Sequence, residues 1–162
     1  MPQSPRPLKS EQVSICFVLW ASLTRQLRRR GYGERESGAF LLGRLGSKRV
    51  SKYICYDDLD PSALDTGIIV FRGVGFVRLW DYCRRQKMTV LGDVHTHANQ
   101  QTTPSATDRT HPMIGLPGHV ALIVPHFAKA NLFSLKAVGV YQYVDNHQWT
   151  SHPKNKFKLT LF

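Results

Sequence analysis

The chain has 162 residues and a formal net charge of +11 at pH 7, from 22 Lys and Arg against 11 Asp and Glu. This length suits a single domain, and a hydrophobic content of 42% is ordinary for a soluble globular protein. Three cysteines without CxxC spacing argue against a disulfide framework and predict reduced, mostly buried thiols at Cys16, Cys55 and Cys83.

The N-terminal part predicts a short flexible segment followed by a helix. Residues 1–9 are rich in proline, whereas apolar side chains recur at helical spacing across residues 10–30, with Ser10 as the cap and Gly31 at the end. The apolar run 13–23 is too short to span a membrane, and no small-residue cleavage site follows it. We therefore expect a cytoplasmic protein whose first helix packs on the core.

The rest of the chain predicts many strands and one further helix. Apolar and β-branched runs predict strands at 37–45, 49–57, 68–71, 88–97, 118–127, 135–144 and 156–162. The period changes to that of an amphipathic helix over residues 73–87, and the acidic stretch 57–67 predicts a solvated loop. Together they predict an α/β (α+β) domain over residues 10–162, with a curved, mainly antiparallel sheet and two flanking helices.

The positive charge is concentrated in a few short runs. These runs are 25–30, 46–49, 83–87 and 154–158. Such an excess favours an acidic partner, which would be nucleic acid, a membrane surface or an acidic protein. The alternative is that each run is a solvated helix end or tail, since Lys and Arg favour helix C-termini.

Two histidines at the end of a predicted strand suggest a metal site. His95 and His97 are two residues apart, so both side chains point to the same face of the strand. Ser105 and Asp108 follow at a spacing that puts them side by side on a helix. Two imidazoles and a carboxylate would give a zinc ion three protein ligands and leave the fourth position to water, as in catalytic zinc sites.

Another explanation exists for the second half of this pattern. Ser105 and Asp108 also have the spacing of a helix capping box, in which each side chain bonds the other residue's backbone amide. A pair of histidines alone is a weak signal as well. The prediction of a metal site therefore depends on the combination of the two same-face histidines with the downstream serine and aspartate.

The combined pattern resembles the JAMM signature of the JAB/MPN metalloproteases. In this chain the signature consists of His95, His97, Ser105 and Asp108, together with Glu36, which lies seven residues before Gly43 in the segment ESGAFLLG. Glu34 is a nearby competitor for the glutamate position. The resemblance covers nearly the whole chain after residue 10, and it implies a single MPN/JAB-like domain.

The resemblance also implies an activity. Members are zinc-dependent hydrolases that cut peptide or isopeptide bonds after the C-terminal glycine of ubiquitin or ubiquitin-like proteins. It implies one Zn²⁺ held by His95, His97 and Asp108 with a bound water as fourth ligand, Glu36 as the proton carrier, and Ser105 as the donor to the oxyanion. The implied partners are a ubiquitin-like modifier, its conjugates and E1- or E2-like proteins of the same operon, in some cases an antiphage operon.

Some features depart from the family pattern or stay outside it. Ala98 stands where many relatives have proline, and the short segment after Pro125 predicts a compact bacterial-type member without the loop that clasps a second ubiquitin. Asp93 shares the strand face of His95 and is a candidate acceptor for an imidazole. The other histidines in this half of the domain have structural or surface roles by default, and they are His111, His119 and His126.

Three alternative functions stay open at this point. One is a JAB-fold scaffold without activity, although an intact set of five signature residues argues against it. Another is a RadC-like protein associated with nucleic acid, which the net charge favours and the lack of a stacking-aromatic pattern disfavours. A third is hydrolysis of an amide bond in a small molecule.

Overall fold

The computed structural model describes residues 12–129, 134–151 and 156–162. The proline-rich segment 1–9 and the predicted cap Ser10 lie outside the described residues. The helices are α1 (Phe17–Gly31), α2 (Tyr56–Leu59), α3 (Gly73–Gln86) and α4 (Ala106–Thr110), with a 3-10 turn at His126–Ala128. The strands are β1 (Val13–Cys16), β2 (Gly38–Arg44), β3 (Arg49–Cys55), β4 (Met88–Thr96), β5 (Val120–Val124), β6 (Gly139–Asp145), β7 (Gln148–Ser151) and β8 (Phe157–Thr160).

The strands form one curled eight-stranded sheet in the order β7-β6-β5-β4-β2-β3-β1-β8. The pairs β2–β3, β2–β4, β5–β6 and β6–β7 are antiparallel. The pairs β1–β3, β1–β8 and β4–β5 are parallel. The predicted α+β class with a curved sheet is confirmed, and the pairing is more mixed than the sequence suggested.

Helices cover the sheet on both faces. On one face α1 packs through Trp20, Leu23 and Leu27, which are fully buried. On the other face α3 packs through Leu79 and Cys83 against a second apolar cluster. Each helix buries most of the stripe that its helical spacing predicts, because that stripe leaves water when the helix lies on a sheet. The exception is Trp80, which the spacing places on the stripe of α3 and which is 46% exposed.

The first predicted helix is shorter than expected at its start. Residues 13–16 form β1, which pairs in parallel with β3 and with the C-terminal strand β8. The helix begins at Phe17, and Tyr32 ends it with a left-handed backbone (φ 52°) in place of Gly31. The apolar run at the start is compatible with a helix or with a strand. It forms a strand because it pairs with β8 at the far end of the chain.

Two further elements differ from the prediction. Residues 68–71 form no strand and run as an irregular segment beside the site described below. The strand β7 lies in a stretch that the sequence left without an element. It is only four residues long and is defined by its pairing with β6 across the turn at Asn146 and His147.

The acidic stretch after β3 is more structured than a solvated loop. It begins with α2, and Asp57 and Asp58 pair with Arg30 of α1. Asp60 is fully buried and forms a bidentate contact with Arg72. The stretch therefore ties α1, α2 and the start of α3 together.

The thiols behave as the composition predicts. Cys55 and Cys83 are buried, Cys16 is half-buried, and all three are free. No helix within the described ranges combines the length and the apolar character needed to cross a membrane.

Candidate metal centre

The two histidines of the HxH motif lie at the C-terminal end of β4. His95 pairs with Gly38 of β2 on one side and with Ile123 of β5 on the other, so it stands in the middle of the sheet. His97 follows just beyond the strand, and its amide bonds the carbonyl of Val124. Both side chains project from the face that carries α3, as the alternation along a strand requires.

Asp108 is delivered by the short helix α4. Ser105 caps this helix, and its Oγ accepts a hydrogen bond from the amide of Asp108 at 3.1 Å. In return Oδ2 of Asp108 accepts from the amide of Ser105 at 2.7 Å. The capping box and the metal-site explanation are therefore both compatible with the structure, because the box aims the Asp108 carboxylate at the histidines.

The three side chains converge within the dimensions of a metal site. Nε2 of His95 lies 3.1 Å from Nε2 of His97. The carboxylate oxygens of Asp108 lie 3.4 Å from Nε2 of His95 and 3.3 Å from Nε2 of His97. Ligand atoms at about 2.0–2.1 Å from a tetrahedral zinc ion lie roughly 3.3–3.4 Å apart. His95, His97 and Asp108 could therefore hold a metal ion without large rearrangement.

The electrostatics of the cluster suit a cation. Burial raises the pKa of Asp108, but hydrogen bonds from His95 and His97 outweigh it and hold that pKa well below its usual value. Burial lowers the pKa of His95, but its hydrogen bond to Asp108 and the negative charge there raise it above the usual value. The cluster thus stabilises positive charge between these side chains, whether a proton or a metal ion supplies it.

A backbone carbonyl on the far side of the ring from the cluster orients the imidazole of His97. Its Nδ1 lies 2.9 Å from the carbonyl oxygen of Gln101, a group that can only accept a hydrogen bond. Nδ1 therefore donates its proton to this carbonyl, and Nε2 is the nitrogen that faces the cluster and would bind a metal ion. No sequence pattern predicts this contact, because it depends on a backbone carbonyl in the loop after the motif.

Glu36 lies beside the cluster, between α1 and β2. Its neighbour Ser37 is locked in place by a hydrogen bond from its amide to Oγ1 of Thr96 and by a bond from its own Oγ to the carbonyl of Leu27. The Glu36 carboxylate accepts a hydrogen bond from the amide of Ile69. The segment 68–71, predicted as a strand, therefore lies outside the sheet and contributes the Ile69 amide that contacts Glu36.

The environment of Glu36 favours its neutral form more than water does. Burial raises the pKa of Glu36, and the nearby imidazoles of His95 and His97 lower it in part. Its competitor Glu34 is exposed in the turn after α1. Of these two glutamates, Glu36 is the one that lines the cavity described next.

A cavity of about 530 Å³ opens beside the cluster. It is bounded by the segment 68–71 and Phe76 on one side and by α4 with residues 111–113 on the other. Glu36, His95, Ser105 and Asp108 line its polar part, and most other lining side chains are apolar. Among the histidines given default roles, His111 reaches the cavity wall and His126 is exposed.

Asp93 accepts a hydrogen bond from an imidazole, as the sequence suggested, but the imidazole belongs to His119 and not to a metal ligand. The side chain of Asp93 lines the same cavity, but Oδ1 accepts from Nε2 of His119 at 2.5 Å and Oδ2 from the hydroxyl of Tyr56 at 3.0 Å. A side chain at Gly38 would clash with the Tyr56 ring, so glycine there lets Tyr56 reach Asp93. The imidazole that Asp93 fixes is thus His119, a lone histidine that no spacing pattern marks.

Known structures share this fold at low sequence identity. A protein from Desulfitobacterium hafniense matches with a TM-score of 0.62 and 16% identity over 92% of this chain and 93% of that chain. A protein from Salinibacter ruber matches with a TM-score of 0.54 and 17% identity over 86% and 88%. A JAB1/MPN domain protein from Archaeoglobus fulgidus gives 15% identity over 93% and 99%, at a TM-score of 0.46 that is too low to carry an argument.

The family comparison is more specific than these folds. The sequence profile described as prokaryotic homologs of the JAB domain matches residues 19–138, a span that runs from α1 to the segment before β6 and contains the whole His-His-Asp cluster. This match over most of the chain shows that the protein belongs to the family of prokaryotic homologs of the JAB domain.

Proposed function

We propose that this chain is a zinc-dependent peptidase that cuts the bond after the C-terminal glycine of a ubiquitin-like modifier, either to mature the modifier or to remove it from a target. The observation that carries the proposal is the convergence of His95, His97 and Asp108 beside a cavity that the Glu36 side chain also lines. Two imidazoles and one carboxylate are a donor set that suits zinc.

Each polar group has a task in this hydrolysis. His95, His97 and Asp108 would hold a divalent ion, which would supply Lewis-acid chemistry and make water a nucleophile near neutral pH. Glu36 accepts the proton of the attacking water and returns it to the leaving amine. Its contact with the Ile69 amide fixes the carboxylate for this transfer. Ser105 accepts a hydrogen bond through Oγ from the backbone, so its own proton stays available for the oxyanion of the intermediate.

The cavity supports an extended peptide substrate. The segment 68–71 forms one wall, and Ile68 and Val70 are 52% and 45% exposed there. A glycine tail without Cβ atoms can lie close to such a wall and bring its last carbonyl to the cluster. The proposed partners are a modifier with a glycine tail and its conjugates. The family resemblance adds E1- and E2-like proteins of the same operon, in some cases an antiphage operon.

An inactive JAB scaffold is the second candidate, and the geometry disfavours it. A scaffold has no need for three donor atoms within bonding range of one ion, nor for a half-buried carboxylate beside them. Burying these groups costs free energy unless a ligand or a reaction uses them.

Cleavage of fusion proteins tests the proposal. The zinc-loaded protein is incubated with ubiquitin-like proteins whose Gly-Gly tail is joined to a reporter, and the products are identified by mass spectrometry. We expect a cut after the last glycine that a chelator abolishes and added zinc restores. If every Gly-Gly fusion stays intact while zinc is bound, the proposed activity is wrong.

A further inference from the structure

We propose that the sheet face formed by β3, β1 and β8 on the side away from α1 binds the phosphodiester backbone of nucleic acid. This face is separate from the metal centre, and the proposal does not depend on the peptidase activity. It assigns a use to part of the net charge of +11, which the proposed hydrolysis leaves unexplained.

The strand pattern determines which side chains reach this face. Val13, Ile15 and Phe157 are buried in the cluster under α1. Their neighbours on the same strands therefore project from the opposite side of the sheet. Ser14 pairs with Arg49 of β3 on one side and with Lys158 of β8 on the other. Two strand spacings separate the last two residues, so these cations stand roughly 10 Å apart on one surface.

The end of α3 and the β2–β3 hairpin extend this surface. Lys52 of β3 lies 5.1 Å from the ring of Tyr82 on α3, which places the helix beside the strands. The amide of Leu45 in the hairpin bonds the carbonyl of Lys87 at the end of the helix. We call the resulting surface the basic face, and its exposed cations are Arg44, Arg49, Lys52, Arg84, Arg85, Lys87 and Lys158.

The charge of the basic face is poorly neutralised. Among the residues that the structure describes, the one carboxylate that pairs with these cations is that of Asp81, which contacts Arg84 and Arg85. Most other acids lie elsewhere, as in the pair of Asp60 with Arg72 or in the metal cluster. Seven cations against one carboxylate leave a positive surface that attracts a polyanion.

The composition of the face favours nucleic acid over an acidic protein. Interfaces between proteins are depleted in lysine and have an apolar core. Surfaces that bind nucleic acid are more polar and much more positive. The strand residues here contribute Ser14, Arg49, Lys52 and Lys158 and no large apolar side chain. Exposed apolar side chains flank this face, with Leu45 at the hairpin tip and Leu161 and Phe162 directly after β8. The seven cations outnumber them, whereas a membrane-inserting surface needs a continuous apolar side.

The basic face and the metal centre lie at opposite ends of β2. Gly38 pairs with His95, whereas Arg44 pairs with Met88 at the start of β4. Six residue steps along a strand correspond to roughly 20 Å. A bound nucleic acid on this face therefore leaves the metal centre accessible, and substitutions on the face can be made without touching the metal ligands.

Fluorescence anisotropy with labelled DNA and RNA tests the proposal. The full chain is titrated into duplex DNA, single-stranded DNA and single-stranded RNA of equal length at several salt concentrations. Affinity should fall linearly with salt on a double logarithmic scale, with a slope of about 0.9 per phosphate contacted in duplex DNA. The triple change Arg49→Glu, Lys52→Glu and Lys158→Glu should weaken binding by about tenfold or more at low salt. The comparison of the three probes shows which form of the backbone is preferred.

The matched control changes the same charge on the other side of the sheet. Arg25, Arg28 and Arg29 are exposed on α1, and replacing all three by glutamate lowers the net charge equally. We expect this control to retain most of the affinity. Thermal melts check that both proteins fold, and a second triple with glutamine at the three positions of the face repeats the test with smaller charge changes. Equal losses in both triples, salt-insensitive binding, or preference for an acidic peptide or anionic vesicles would overturn the proposal.

Discussion

Asp93, which lines the cavity, forms a buried hydrogen-bonded pair with His119, whose Nε2 donates to Oδ1 of Asp93 at 2.5 Å. Their side chains are only 4% and 5% exposed. Tyr56 donates to the other carboxylate oxygen, so both oxygens are satisfied. This arrangement joins β4, α2 and the residue before β5, two positions along β4 from His95.

Removing the Asp93 carboxylate should destabilise the fold strongly. In Asp93→Ala the imidazole of His119 and the hydroxyl of Tyr56 lose their buried partner, which costs roughly 3 kcal/mol of unfolding free energy. Tyr56→Phe removes one hydrogen bond and leaves the carboxylate paired, so we expect a loss of about 1 kcal/mol. Urea unfolding measures both. Equal losses in the two variants would show that the pair is not the main interaction there.

The contact between Asp60 and Arg72 predicts a specific dependence of stability on pH. The side chain of Arg72 is the main cause that lowers the pKa of Asp60 below its usual value. A lowered carboxyl pKa contributes stability above the unfolded value of about 3.9, and this contribution is lost as the pH falls through the lower folded value. The difference in unfolding free energy between wild type and Asp60→Asn should therefore be constant near neutral pH and shrink below about pH 4. A difference that does not change with pH would contradict the pairing.

The buried thiol of Cys55 should be inert in the folded protein. Burial raises its pKa to about 12, although Arg30 acts in the opposite direction. The thiolate is the reactive form, so a thiol reagent at mildly alkaline pH should modify the half-buried Cys16 first and reach Cys55 only after unfolding. Peptide mapping after timed labelling measures the order. Labelling of Cys55 as fast as that of a model thiol would contradict its burial.

Local patterns in the sequence predict much of this fold. The helix at 73–87 and the strand at 88–97 are confirmed within a residue or two, because their side-chain periods are regular and their ends carry clear signals. Local patterns do not predict the strand β1 or the short strand β7. Their identity depends on pairing with β8 and β6, and pairing between distant segments leaves no local pattern.

In the candidate site, too, local patterns predict some features and miss others. The spacing of His95, His97 and Asp108 predicts their convergence, because strand and helix geometry determine which way each side chain points. The groups that orient the site escape prediction, since they are a backbone carbonyl at Gln101 and a backbone amide at Ile69. Every residue carries such groups, so the sequence cannot mark the ones that matter.

Glu36→Gln should separate chemistry from metal binding. The substitution keeps the size of the side chain and removes its ability to carry a proton, so we expect turnover to fall by roughly 10²–10⁴-fold while the metal stays bound. Glu34→Gln is the matched control, because Glu34 is exposed and does not line the cavity. Kinetics on a cleaved fusion and metal analysis of the same samples give both quantities. Wild-type turnover in the Glu36 variant would exclude it as the proton carrier.

Metal content is the most direct test of the His95, His97 and Asp108 cluster. Protein purified without chelators and analysed by mass spectrometry should contain about one zinc ion per chain. Asp108→Ala should lose most of it, whereas His111→Ala, which changes a cavity-lining histidine outside the cluster, should keep it. A wild-type protein that stays free of metal after incubation with zinc, or an Asp108→Ala protein that binds it as tightly as wild type, would contradict the account.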